Sequence, residues 1–260
     1  MSQIDPPNEP LKNSGLLEKV RVSKLLSELG LCSRREADGY IEQGLVTVDG
    51  ELVAELGTRA FRHQKIELRL AAQKQQEARV TVILNKPIGF ISHLDDDQAY
   101  QPAASLITAQ HYFTNPLEPD RCGRFNTRGL APAGRLDIDS TGMLVLTQDG
   151  RIAKLLVGED SPIEKEYLVR VTGKLSAAGL EQLNHGLSLD GQLLKRAKVS
   201  WQNEDQLRFV LREGRKRQIR RMCELVELQV LALKRIRIGQ ISLGSLPLGQ
   251  WRYLKVGERF

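Results

Sequence analysis

Gly134-Arg135-Leu136-Asp137-Ile138-Asp139-Ser140-Thr141-Gly142 leads at once into Met143-Leu144-Val145-Leu146-Thr147, and a turn follows at Asp149-Gly150. Two carboxylates and an arginine are crowded between two glycines, ahead of an apolar run of β type. The glycines read as tight backbone before a buried strand. A short acidic loop set against a core strand is a rigid place to hold one reactive carboxylate. The same composition also suits a plain Asp/Gly turn, so the remainder of the chain has to decide between the two.

At 260 residues the chain can hold one large domain or two modest ones. Its net charge of +6 coexists with 32 acidic residues, which suits a folded protein that meets a polyanion better than a basic tail. Cys32, Cys122 and Cys223 are far apart and odd in number, so neither a disulfide framework nor zinc spacing is expected. His63, His93, His111 and His185 are scattered. No run approaches the roughly 18 apolar residues of a membrane span, and no signal-type core opens the chain. A cytoplasmic protein without membrane contact, bound metal or cofactor is expected.

Residues 1–18 are polar, contain Pro6, Pro7 and Pro10, and read as a disordered arm. A compact unit is expected over 19–71. Val22, Leu25, Leu26 and Leu29 fall at helical spacing, and Gly30 ends the helix. Ser33-Arg34-Arg35-Glu36 has the form of a capping box opening a second helix, which Gly44 stops. Leu45-Val46-Thr47-Val48, Asp49-Gly50 and Glu51-Leu52-Val53 form a hairpin signal. Lys24, Arg34 and Arg35 sit on or at the start of these helices, where they can grip phosphate. The order of residues 32–38 and 41–50 resembles the S4 RNA-binding domain. That resemblance implies binding to structured RNA through the two-helix face.

Residues 72–78 are polar, lack apolar periodicity and read as a linker. A larger domain is expected over 79–260. Val80-Thr81-Val82-Ile83-Leu84 opens it as a strand, and Asn85-Lys86-Pro87-Ile88-Gly89 reads as a turn in which Lys86 can face phosphate. Between 95 and 130 the signal is weak; His93, His111, Tyr112 and Phe113 can stack on RNA, and ordinary packing is the stronger reading. Residues 151–156 read as a short helix, 164–171 as a strand, 176–185 as a helix, and 199–201 with 207–211 as antiparallel strands. The run from Leu231 to Trp251 reads as strands and turns that end the sheet.

Glu213-Gly214-Arg215-Lys216-Arg217-Gln218-Ile219-Arg220-Arg221-Met222-Cys223 is the second dense motif. Read as a helix, it turns Ile219, Met222 and Cys223 inward and distributes Arg217, Arg220 and Arg221 over the first turns. Arginines at a helix start oppose its dipole, so a negative partner is implied, either phosphate or a buried carboxylate. A solvated basic face remains the plain alternative.

Lys86-Pro87-Ile88-Gly89, Gly134-Arg135-Leu136-Asp137, Lys165-Glu166-Tyr167 and the arginine-rich motif occur in one order. Together with the S4-like unit, they resemble the ribosomal RNA pseudouridine synthases that carry an N-terminal S4 domain, most closely the branch F acting on the large subunit. The resemblance implies an α+β protein: a small S4-like α/β domain, and a larger catalytic domain built on a mixed, mainly antiparallel β-sheet flanked by helices. It implies isomerisation of a uridine in ribosomal RNA, or in a pre-ribosomal particle; a monomer is the default expectation, since the sequence does not give the oligomeric state. In this likeness Asp137 matches the catalytic aspartate, and Tyr167 the aromatic that stacks on the flipped base. Arg220 matches the basic partner of the aspartate, Arg135 the arginine that fills the vacated gap, and Ile219 the apolar wall. Lys86 and Arg217 are expected at the substrate; Lys24, Arg34, Arg35, Arg215 and Lys216 are expected on RNA.

Physical chemistry is consistent with these roles. An isomerisation needs no redox partner. A nucleophilic carboxylate stays ionised beside an arginine, and aromatic stacking offsets part of the cost of flipping a base. Asp139 is a second candidate nucleophile, or a brace for the loop. The segment from His93 to Ala133 is longer than branch F carries there, which leaves the target nucleotide open. A non-catalytic RNA-binding assembly factor and the same chemistry on small-subunit rRNA or tRNA also stay open.

Overall fold

The computed structural model describes residues 18–93, 99–114, 128–158 and 160–260, and the chain divides after Ala78 into two units. In the first, helix α1 (Val22–Glu28) turns Val22, Leu25 and Leu26 inward, and helix α2 (Arg34–Glu42) turns in Ala37, Tyr40 and Ile41. The capping box at the start of α2 is formed: Ser33 Oγ accepts from Glu36 N at 3.4 Å, and Glu36 Oε2 accepts from Ser33 N at 2.6 Å. Strands β1 (Val46–Val48), β2 (Glu51–Val53) and β3 (Ile66–Leu68) make a three-stranded antiparallel sheet in the order β2-β1-β3. Asp49 and Gly50 both have positive φ (51° and 87°), as a two-residue hairpin with right-handed strand twist requires.

The stretch read as a linker is corrected by the structure. Leu70–Glu77 is helix α3. Its apolar periodicity is faint because only two positions a helical turn apart, Ala72 and Gln76, are buried. Gln76 Oε1 accepts from the Tyr40 hydroxyl at 3.0 Å. Helix-favouring Ala, Gln, Lys and Glu supply the rest.

The second unit is organised by one sheet. Its principal strands are β4 (Thr81–Lys86), β5 (Thr141–Thr147), β6 (Lys165–Gly173), β7 (Lys198–Trp201), β8 (Gln206–Leu211), β9 (Leu228–Ile238) and β10 (Trp251–Tyr253). They run in the order β7-β8-β6-β9-β5-β4-β10. Only the β5–β9 pair is parallel among these strands, so the sheet is mixed and mainly antiparallel. Strand alternation sorts two cores. Val82, Leu84, Leu144, Leu146, Val169, Phe209 and Leu233 face one side, with Leu183 of helix α5 (Ala177–Asn184) and Ile219, Met222 and Cys223 of helix α6 (Gln218–Glu224). Ile83, Met143 and Val145 face the other side, with Leu156 of helix α4 (Gly150–Val157). Ser176 and Asp149 cap α5 and α4 through their side chains.

Two details refine the expected outline. Strand β4 continues through Asn85 and Lys86, which had been read as part of a turn; both are buried, and Asn85 Nδ2 donates to Leu246 O at 2.8 Å. Tyr112 packs on Trp251 (ring centroids 4.8 Å apart), and Trp251 Nε1 donates to Thr108 O, so the ring joins the core. The arm at 1–17 and much of the long segment, including Cys122, lie outside the described residues.

Candidate active site

The backbone of the loop ahead of β5 is pinned, while its two carboxylates stay partly open. Leu136 and Ser140 are buried, and Ser92 Oγ meets both backbone groups of Leu136 at 2.8 Å. Gly89 N donates to Ile138 O at 3.0 Å, tying the loop to the turn after β4. Between these anchors the Asp137 side chain keeps 34% of its surface open and that of Asp139 41%. Asp137 therefore meets solvent from a fixed backbone.

Helix α6 supplies the cations. Arg217 is its N-cap and adopts left-handed backbone, φ 51°, a costly conformation for a non-glycine residue that is met often at functional sites. Its Nη1 lies 3.2 Å from Asp139 Oδ2 and 4.0 Å from Asp137 Oδ2. Arg220 is a different kind of group, with a side chain only 9% exposed. Its Nη2 reaches Asp139 Oδ1 and Asp139 O, both at 3.1 Å, and its Nη1 donates to Val230 O at 3.3 Å. The expected pairing is thus corrected: Arg220 holds Asp139, and Arg217 is the guanidinium nearest Asp137. The reason is reach. Arg220 is anchored inward on β9, whereas Arg217 stands at the mouth of the helix.

Tyr167 is buried on β6, in the same cluster as Leu136 and Ile219. Strand register sets its neighbours. Tyr167 stands opposite Arg235 of β9, Arg235 opposite Gly142 of β5, and Gly142 opposite Lys86 of β4. Arg235 lies 5.9 Å from the Tyr167 ring centroid. The preceding residue, Glu166, points to the opposite face, where Arg208 Nε and Arg237 Nε each hold it at 2.6 Å. Arg208 above all keeps that carboxyl below its ordinary range.

Lys86 is fully buried. Its ammonium donates to Pro87 O at 2.8 Å and Phe90 O at 2.9 Å. The reading of Lys86 as a phosphate contact is corrected accordingly: it is an internal charge beneath the loop. Burial pushes its pKa down to about 8, while Asp137 and Asp139 pull the other way. Lys165 is also lowered to about 8, by burial first and then by Arg235. Neither Lys165 nor Arg235 had been singled out as a site residue. Arg235 was legible in principle, because β alternation places it on the face of Leu233, a cation in an apolar slot.

The remaining basic motif residues divide. Lys216 is exposed. Arg215 is turned inward, with Nη1 on Leu189 O at 3.1 Å and Nη2 on Leu193 O at 3.4 Å, which corrects its reading as an RNA contact. Arg221 grips Asp190 with two bonds of 2.9 and 2.7 Å. The negative partners implied by this arginine-rich helix start include carboxylates of the protein itself. Arg135 is exposed at the head of the loop, and Arg34 and Arg35 are exposed at the start of α2; Lys24 is half-buried and lies 3.7 Å from Glu28. Among the described residues no group of three or more His, Cys, Asp or Glu side chains converges as metal ligands do.

A partly open aspartate on a pinned loop, a buried tyrosine ring and flanking guanidiniums can attack an electron-poor carbon and hold a flat ring. Comparison with known families decides whose chemistry this is. Residues 80–225 match the RNA pseudouridylate synthase family, and residues 20–60 match the S4 domain. The chain belongs to the RNA pseudouridylate synthase family. It is 35% identical over 241 residues to the dual-specificity RNA pseudouridine synthase RluF of Escherichia coli (strain K12), covering 92% of this chain and 77% of that one. It is 32% identical over 244 residues to the ribosomal large subunit pseudouridine synthase B of Bacillus subtilis (strain 168), covering 92% and 93%. A crystal structure of a pseudouridylate synthase superposes with a TM-score of 0.61 at 26% identity, over 91% of this chain and 96% of that one. In this synthase the four motifs read from the sequence fall on the end of β4 and the turn after it, the loop before β5, β6 and the start of α6, all in one unit.

Proposed function

We propose that this synthase isomerises a uridine of large-subunit ribosomal RNA to pseudouridine, with Asp137 as nucleophile. The observation that carries the reading is the contrast between the two loop aspartates. Both are partly open, but Asp139 is engaged by Arg220 and Arg217 at 3.1 and 3.2 Å, whereas the Asp137 carboxylate has a 4.0 Å approach from Arg217. A nucleophile has to be ionised and still reachable. Tyr167 is the ring on which the flipped base stacks, Ile219 the apolar wall beside it, and exposed Arg135 the side chain that fills the gap in the RNA. Arg34, Arg35 and Lys24 of the S4 unit, with Lys216, hold the RNA backbone; phosphate contacts position the substrate without reading its sequence. The protein works as a cytoplasmic monomer on free rRNA or a pre-ribosomal particle. Among the described residues no helix is long and apolar enough to cross a membrane.

Relatives named for the large subunit support the choice of RNA. The RluF relatives are dual-specificity RNA synthases, which supports a second reading with more than one RNA target. Mapping pseudouridine in rRNA and tRNA from cells with and without the protein tests both. Loss of one or more large-subunit sites is expected. An unchanged map in every RNA class overturns the proposal.

A further inference from the structure

Arg235 is a buried guanidinium that neither the motifs nor the roles above employ. It is 3% exposed and stands at the crossing point of the site, opposite Tyr167 on one side and Gly142 on the other. Its Nε donates to Met143 O at 2.7 Å and its Nη1 to Arg135 O at 3.2 Å. Those carbonyls lie on either side of Asp137, one before the loop and one at the start of the strand that follows. The guanidinium therefore closes the loop like a buckle, and it packs 5.9 Å from the Tyr167 ring centroid.

The local sequence makes room for this contact. A Cβ at position 142 would lie 2.3 Å from Arg235 O, and Gly142 has φ +105°; only glycine lets the two strands meet there. The contact is also costly. Arg235 Nη2 is buried without an acceptor among the described residues, and a buried unpaired donor loses about 1–3 kcal/mol. Lys165 and Lys86, both lowered, add like charge nearby. A hydrocarbon in this slot is the more stabilising choice in general. Cost kept at the centre of a site indicates that geometry is what the residue supplies.

We propose that Arg235 is a positioning residue that fixes the distance between the Asp137 loop and the Tyr167 ring, by holding the carbonyls of Arg135 and Met143 while packing against that ring. A planar fork can reach two carbonyls at once; a lysine ammonium at the end of a flexible stem does not reproduce that geometry. Loosening the buckle lets the carboxylate drift relative to the stacked base, while RNA grip through the S4 unit and Lys216 is untouched.

The inference rests on the pseudouridine synthase reading, so its test has an arm that needs no RNA. In the full-length protein, Arg235→Ala is compared with wild type by amide hydrogen exchange over residues 134–142, and faster exchange in the variant is expected. Unchanged protection overturns the proposal whatever the substrate is. With rRNA as substrate, a misplacement on the order of 1 Å lowers kcat about 100-fold, and KM stays close to wild type. Millimolar guanidinium added to Arg235→Ala restores part of the lost rate, and ethylammonium at equal concentration does not. Equal rescue by both cations shows that charge alone matters and overturns the buckle; so does a raised KM with unchanged kcat. Should Arg235→Ala fail to fold, Arg235→Lys decides: a folded variant with reduced kcat and unchanged KM supports the proposal, and wild-type kcat refutes it.

Discussion

Asparagine at 137 and asparagine at 139 separate nucleophile from brace, because the two aspartates share a loop but not an environment. Asp137 is partly open, and Arg217 approaches it at 4.0 Å. An exposed pair of that kind is worth about 0–1 kcal/mol, so Asp137→Asn leaves stability within roughly 0.5 kcal/mol of wild type. Asp139 bonds a guanidinium that is itself 9% exposed, at 3.1 Å, and a second at 3.2 Å. A neutral amide can still accept from Arg220 but leaves its charge without a counter-charge. The Asp139 carboxylate is partly screened by solvent, so we take the lower part of the range for charged hydrogen bonds and expect a loss of about 1–2 kcal/mol. For a unit of this size that is a fall in melting temperature of about 2–8 °C. Thermal unfolding and pseudouridine formation are measured on the same preparations. Asp137→Asn is expected to melt like wild type and to convert no uridine; Asp139→Asn is expected to melt lower and to keep a measurable part of its turnover. A stable but inactive Asp139→Asn beside an active Asp137→Asn would falsify the assignment.

Three further outcomes follow from the same geometry. Gly142→Ala drives a methyl onto Arg235 O at a backbone angle that disfavours side chains, and the urea midpoint is expected to fall by the equivalent of about 3 kcal/mol or more. Lys86 is lowered to about 8 in the folded chain against 10.5 in the unfolded one. Between those values the unfolded chain binds more protons, so folding gains stability as pH rises. The stability of wild type relative to Lys86→Met, followed by denaturant melts, therefore grows from pH 8 to 10.5; a flat difference refutes the buried-charge account. Ser33→Ala removes one half of the α2 capping box and is expected to cost about 1 kcal/mol locally, read as faster amide exchange over residues 34–38 with no change in the second unit.

Much of the fold was legible where one short-range signal dominates. The capping box at Ser33, the Asp49-Gly50 hairpin and the alternation through Lys165–Val171 each dictate local backbone whatever surrounds them. Helix α3 escaped because its buried positions are just Ala72 and Gln76, and one of those is polar; Ala72 joins the core of the first unit, and Gln76 meets the hydroxyl of Tyr40, thirty-six residues away. The start of Asn85–Gly89 was misplaced for a related reason. Asparagine, lysine and proline in sequence resemble a turn, yet Asn85 is held by a long-range bond to Leu246 O and Lys86 by its strand register opposite Gly142, which no local pattern announces.

The site divides along the same line between local and long-range causes. Asp137, Tyr167 and the arginines of α6 stand out in the sequence because their order along the chain carries a motif. Which arginine meets which carboxylate was not, since that depends on Val230 O drawing Arg220 inward from β9 and on the left-handed turn that swings Arg217 outward. Arg235 marks the boundary between the two cases. Alternation of β9 is enough to put it inside with Leu233, but its importance appears only when three strands align Tyr167, Arg235 and Gly142 in one row. A buried cation in an otherwise apolar strand face is a signal a sequence does contain. Reading it requires asking which backbone carbonyls lie within reach, and here those carbonyls flank the loop that carries Asp137.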